Sequence, residues 1–164
     1  MNYELSKIQE NSNIQFLTFF IEQNMFGVNI HDIKEVNPDC QITHVFHAPE
    51  EIKGFVNLRG QIYLIIDLRK TLGLQVKQGD SKGNIILIKD HIAGQTGIIV
   101  DEIGDVISVD SDLIELSVSG NKEEAELMFS KNIVTGICKL KSQLMNILDV
   151  YNLLDILKID NKWS

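Results

Sequence analysis

At 164 residues, with 44% hydrophobic and 23% charged side chains, the chain has ordinary globular composition and enough length to bury a core without disulfide or metal staples. Its formal net charge of −8, with no dense basic stripe, excludes a surface built to displace counterions from nucleic acid. No window approaches the ~20 apolar residues of a membrane span, and residues 1–13 lack the apolar run of a signal peptide or anchor.

Residues 1–14 read as a flexible N-terminal arm. Short apolar runs follow at 16–21, 26–30, 54–58, 62–66, 85–89, 96–100, 106–109, 134–140 and 144–148. They are β-branched or aromatic and are punctuated by Gly, Asn or Asp, which predicts the strands of a barrel or sandwich. Glu35, following Ile30 and Ile33, is expected in a helical turn that leaves the second strand. Two stretches have helix-forming composition instead, 122–131 and 150–158. In the second, Val150, Leu153, Leu154 and Leu157 recur at helical spacing and predict a C-terminal helix with one apolar face.

An internal repeat runs through this pattern. The stretch from Gly27 to Val36 aligns with Gly97 to Val106, and Gly54 to Ile62 aligns with Gly136 to Leu144. Ile65-Ile66-Asp67-Leu68 then lies opposite Ile147-Leu148-Asp149-Val150, and Leu72 opposite Leu154. Two similar small barrels packed together account for a doubled order of strand, hairpin and helix start. Asp67 and Asp149 each precede an apolar helical stretch and read as N-caps, whose carboxylates accept unpaired backbone N–H groups.

The copies diverge at one corner, Arg59-Gly60 in the first and Lys141-Ser142 in the second. Glycine there permits the positive φ of a tight hairpin and leaves Arg59 projecting from a stiff base. Glu35 is either a solvated carboxylate or the partner of Arg59.

Catalytic parts are missing. There is no Gly-x-Gly-x-x-Gly after a strand, no phosphate loop ending in Gly-Lys-Ser/Thr and no Gly-x-Ser-x-Gly elbow. His44 and His47 form a His-x-x-His pair without the intervening Glu of a zinc helix, and His31 and His91 fit no ligand spacing. The carboxylates from Asp101 to Glu115 lack the alternating order of a calcium loop and read as a solvated acidic face. Cys40 and Cys138 read as free thiols in a reducing cytoplasm. No nucleophile, base and charge stabiliser come together, so no enzyme, cofactor or metal is expected.

The run from Ile52 to Ile62, with Asn57-Leu58-Arg59-Gly60 at its corner and Asp67-Leu68-Arg69 after the next strand, resembles the CheW-like family of chemotaxis adaptors. Phe16-Leu17-Thr18-Phe19-Phe20, the segment Gly27 to Glu35, Ile42-Thr43 and Ala48-Pro49 extend the likeness over about residues 15–157. Phe46 and Leu64 stand where many members carry Pro.

The resemblance implies an all-β fold of two similar five-stranded barrels around a shared core, with short helices and a C-terminal helix. The boundary between subdomains would fall near 75–85, and residues 158–164 would form a tail. It also implies a cytoplasmic adaptor recruited to receptor arrays, linking chemoreceptor tips to the regulatory domain of the histidine kinase CheA. A scaffold of another chemosensory array is the alternative, and a small-molecule-binding barrel a more distant one. Carried onto this sequence, Arg59 and Glu35 match the charged pair of the coupling surface. Ile33 and Gly54 match positions near a receptor groove, Ile42 a position near the kinase contact, and Asn57, Leu58 and Gly60 the hairpin that presents the arginine. The groove is expected between the barrels, apolar, and shaped for one face of a helical hairpin.

Overall fold

The computed structural model describes residues 12–77, 79, 81–116 and 133–159. The helical stretch expected at 122–131 and residues 1–11 and 160–164 lie outside them. Strands β1 (Asn13–Ile21), β2 (Asn24–Asn29), β3 (Ile33–Gln41), β4 (Ile52–Leu58) and β5 (Gln61–Asp67) lead into a short helix α1 (Leu68–Thr71). There follow β6 (Lys82–Ile88), α2 (Asp90–Ala93), β7 (Thr96–Val100), β8 (Glu102–Asp110) and β9 (Ile114–Leu116). The described residues close with β10 (Val134–Lys139), β11 (Leu144–Leu148) and α3 (Val150–Ile159).

All nine expected strands are present, and two more, β3 and β9, were not expected. Glu35 lies within β3 and not in a helical turn, because the 3-10 turn closes earlier, at Ile30–Asp32. Strand β1 starts inside the stretch assigned to the arm, since Asn13 and Ile14 already pair with Asp110 and Val109. Both aspartates cap as expected. The Asp67 carboxylate accepts the Arg69 N–H at 3.0 Å, and that of Asp149 accepts the N–H groups of Tyr151 and Asn152 at 2.9 and 3.1 Å.

The strands form two curled sheets, ordered β8-β1-β2-β11-β10-β9 and β3-β6-β7-β5-β4. The sequence repeat equates β2 with β7, β3 with β8, β4 with β10 and β5 with β11. Applied to the first sheet, and with β1 equated to β6, it reproduces the order of the second. The parallel pairings obey the same exchange: Ile65 lies opposite Gly97, and Ile147 opposite Gly27. Each hairpin therefore pairs with the glycine-bearing strand of the other copy. The sheets do not divide at 75–85, because each is built from both halves of the chain.

Each sheet curls toward closure through the segment after its long outer strand. The chain leaves β8 through a 3-10 turn (Ser111–Leu113) into β9, which pairs with β10. In the other sheet the corresponding link is a single bridge, Thr43 to Phe55.

Alternation along the strands fills three apolar clusters. Tyr63, Ile65, Ile85 and Leu87 face the interior of the β3–β7 barrel with Ile42 and Val56. Phe16, Met25, Val109, Cys138 and Met145 fill the other barrel. The alternate residues Ile66, Ile86, Ile88 and Ile98 meet Leu17, Phe19, Phe26 and Val28 between the sheets, with Leu72, Val150 and Leu153 closing that layer from the helices. The rings of Phe19 and Phe26 stack there with centroids 5.5 Å apart. Strands buried on both faces explain why their sequences are continuous apolar runs. Cys40 and Cys138 are free thiols, buried in opposite barrels, and burial raises the pKa of both.

Candidate functional site

The β4–β5 hairpin turns in two residues, with Leu58 opposite Gln61. Both turn residues have positive φ, +52° at Arg59 and +81° at Gly60, the geometry of a type I′ turn. Its twist matches that of the flanking strands, and Gly60 adopts it without a Cβ penalty. The Asn57 side chain accepts the Gly60 N–H at 3.1 Å and braces the corner. Leu58 is half-buried and packs against the barrel interior beneath. The corresponding residues Lys141 and Ser142 are not left-handed.

Arg59 projects from this corner with 69% of its side chain exposed, and Glu35 on β3 meets it, Nη2 to Oε1, at 2.5 Å. The same Glu35 oxygen accepts the Asn37 side-chain amide at 3.0 Å. Hydrogen bonds from Asn37 and Arg59 together hold the Glu35 carboxyl below its ordinary pKa. At such exposure the pair adds at most about 1 kcal/mol to stability, so its consequence is a fixed orientation of charge.

A second cation stands nearby on the same strand. Lys34 donates to the Tyr63 hydroxyl at 3.0 Å and to the Asp90 carboxylate, also at 3.0 Å, and the Tyr63 hydroxyl donates to Gln61 Oε1 at 2.7 Å. The Tyr63 hydroxyl and Asp90 hold the Lys34 ammonium above its ordinary pKa. On the outer face of the hairpin Phe55 and Ile62 are substantially exposed. They are diagonal neighbours, since Phe55 pairs with Leu64 and Asn57 with Ile62. Charge and exposed apolar surface thus share one rigid hairpin.

Ile33, Ile42 and Gly54 do not reach this surface. Ile33 packs into the layer between the sheets, and Ile42 lies inside the β3–β7 barrel. Gly54 is buried with φ +149°, and a Cβ there would sit 2.2 Å from the Thr43 carbonyl oxygen. It lets the closing bridge approach, and all three residues are packing positions. The space between the sheets, where a groove was expected, is occupied by core side chains.

A further polar cluster was not legible in the sequence. Arg69, 3% exposed, forms a close ion pair from Nη2 to Asp101 across the two copies of the repeat, and its Nη1 lies 3.8 Å from Asp67. Asp101 also accepts the Glu22 N–H at 2.6 Å. Burial pushes the Asp101 carboxyl up, but the Glu22 N–H and the Arg69 guanidinium outweigh it and set the pKa below the ordinary value. Asp101 therefore belongs to an internal network and not to the solvated acidic face expected of 101–115. No helix among the described residues is long and apolar enough to cross a membrane.

Comparison with known proteins agrees with this architecture. The family description that matches residues 15–158 is the CheW-like domain. The chemotaxis protein CheW of Klebsiella aerogenes is 28% identical over 140 residues, covering 85% of this chain and 81% of that protein. CheW of Bacillus subtilis is 28% identical over 141 residues, covering 86% of each chain. The crystal structure of the scaffolding protein TtCheW from Thermoanaerobacter tengcongensis superposes with a TM-score of 0.67 at 30% identity, over 84% of this chain and 89% of that one. With its two intertwined barrels and a match over nearly the whole described length, the chain belongs to the CheW-like domain family.

Proposed function

We propose that this protein is a non-catalytic adaptor that couples chemoreceptor cytoplasmic tips to a histidine kinase of the CheA type. The observation that carries this reading is Arg59, held in left-handed geometry at the corner of a rigid hairpin and clasped by Glu35. An L-residue with a side chain costs roughly 1–2 kcal/mol in that region, where Asn or Gly is preferred. The turn would be more stable without the arginine, so its presence is explained by what the guanidinium meets outside the chain. Membership of a family whose similar members are named chemotaxis proteins supports the choice of partners.

The mechanism is one of contact. An oriented cation beside Phe55 and Ile62 offers charge for specificity and apolar area for affinity. Individual contacts of this kind are small, and linked copies in an array multiply them. Control of the kinase then requires only that the docked adaptor favour one kinase state over the other.

Reconstitution with a CheA-type kinase and a receptor fragment tests the proposal. Arg59→Asn should keep folding stability within about 1 kcal/mol of the parent, because relief of the turn offsets loss of the exposed pair. It should nevertheless abolish most receptor-dependent control of phosphorylation. Unchanged control in a folded Arg59→Glu protein would overturn the assignment of the site.

A further inference from the structure

Away from the hairpin corner, a cavity of about 230 Å³ opens where the end of β3, the start of β4, α1, Lys77, the start of β6 and the end of β7 converge. Its lining carries Lys53, Arg69, Lys77 and Lys82 against Asp39 and Asp101. With Asp67 paired to Arg69 from behind the lining, the local surplus is one positive charge, in a chain whose formal net charge is −8. Two of the four cations are themselves buried, Arg69 at 3% and Lys53 at 8% exposure.

Their internal partners leave donors unused. Arg69 is engaged by Asp101 through Nη2, but its Nε is buried without a hydrogen-bond partner. Lys53 gives one N–H to the Lys77 carbonyl at 3.0 Å. The Lys77 ammonium is only loosely placed, 3.8 Å from Asp101. The Arg69 Nε is sealed from the cavity, but the Lys53 and Lys77 ammonium groups, held by one carbonyl and by a carboxylate 3.8 Å away, keep N–H groups that an acceptor-rich anion can take up.

We infer that this cavity is a binding site for a small tetrahedral oxyanion of the phosphate class, held by Lys53, Arg69, Lys77 and Lys82. A phosphate anion offsets the surplus, and its oxygens accept from ammonium and guanidinium groups carried on different elements. The volume lies below the roughly 300–1,000 Å³ of drug-sized pockets. It accommodates inorganic phosphate or a short phosphate monoester and is too small for a whole nucleotide.

The site is independent of the adaptor reading. Titration of the full chain with sodium phosphate at neutral pH, with ionic strength held constant by sodium chloride, tests it by amide NMR and thermal unfolding. Saturable shifts confined to the surroundings of Lys53, Lys77, Asn84 and Asp101 are expected, with midpoints below about 10 mM and a rise in Tm beyond the chloride control. Lys77→Gln and Lys82→Gln, both at exposed positions, should each weaken binding roughly three- to tenfold. Lys139→Gln, on the other barrel, should not. A parallel titration with glycerol 3-phosphate separates the two sources: tighter binding of the ester points to a phosphorylated metabolite, tighter binding of phosphate to the free ion, and either supports the site. Absence of saturation, or equal weakening by Lys139→Gln, would overturn it.

Discussion

Replacing Arg69 by alanine removes the guanidinium that joins Asp101, on the loop after β7, to Asp67, the cap of α1. Asp67 is 1% exposed, and its Oδ2 already has no hydrogen-bond partner. Breaking a buried ion pair by deleting one member costs about 3–5 kcal/mol, because the surviving charge stays buried. Asp101 keeps the Glu22 N–H and some solvent contact, so the loss should fall near the lower end, about 3 kcal/mol. For a chain of this size that lowers Tm by roughly 6–12 °C.

Urea denaturation at neutral pH gives the stability directly, and a double-mutant cycle with Asp101→Asn isolates the pair. The pH dependence supplies a second reading. Because the Asp101 pKa is depressed in the folded state, its contribution is fully present above the ordinary carboxylate value of about 3.9 and is lost as pH falls through the folded value. The gap between parent and Arg69→Ala should therefore narrow on acidification. A loss below about 1 kcal/mol at neutral pH, with no narrowing, would show that solvent and not Arg69 balances these carboxylates.

Other substitutions probe the frame around the hairpin. Gly54→Ala should destabilise by more than about 2 kcal/mol by chemical denaturation, because its Cβ meets the Thr43 carbonyl in backbone geometry that already disfavours an L-residue. Leu58→Ala should cost only about 1–2 kcal/mol in the same assay, less than a fully buried leucine, since the side chain is half-buried. Fragments spanning residues 12–76 and 81–164 should each lack a cooperative unfolding transition, because each sheet needs strands from both. When mixed they should regain one.

Much of the fold was legible because β1, β5, β6 and β7 are buried on both faces, and two-sided burial writes itself as unbroken apolar sequence. Strand β3 escaped because Lys34, Glu35, Asn37, Pro38 and Asp39 interrupt it. It is an outer strand whose register slips between Asn37 and Cys40, where a proline is tolerated for want of a ladder partner. Strand β9 has only three residues and little pattern to read.

At the candidate site, the divergence between repeat copies exposed Arg59, and of the two readings left open for Glu35 the geometry selects the partner of Arg59. The Arg69–Asp101 pair was hidden because the two residues lie 32 positions apart and meet only through the exchange of strands between copies. Nothing in local periodicity announces such an exchange. The same ignorance led Asp101 to be grouped with its solvated acidic neighbours.

Interleaving of the two sheets has a consequence during synthesis. The first strand among the described residues, Asn13–Ile21, takes its outer neighbour from Glu102–Asp110, which is translated some ninety residues later. Strand Asn24–Asn29 waits longer still for Leu144–Leu148. Until Ile86, Ile88 and Ile98 of the other sheet emerge to cover one face, this greasy ribbon has only its own hairpin, a situation in which nascent chains recruit chaperones or aggregate. The β3-β6-β7-β5-β4 sheet has all its strands once Val100 is out, whereas the sheet that holds this ribbon waits for Leu144–Leu148, so the two barrels should mature in succession, the ribbon's own last.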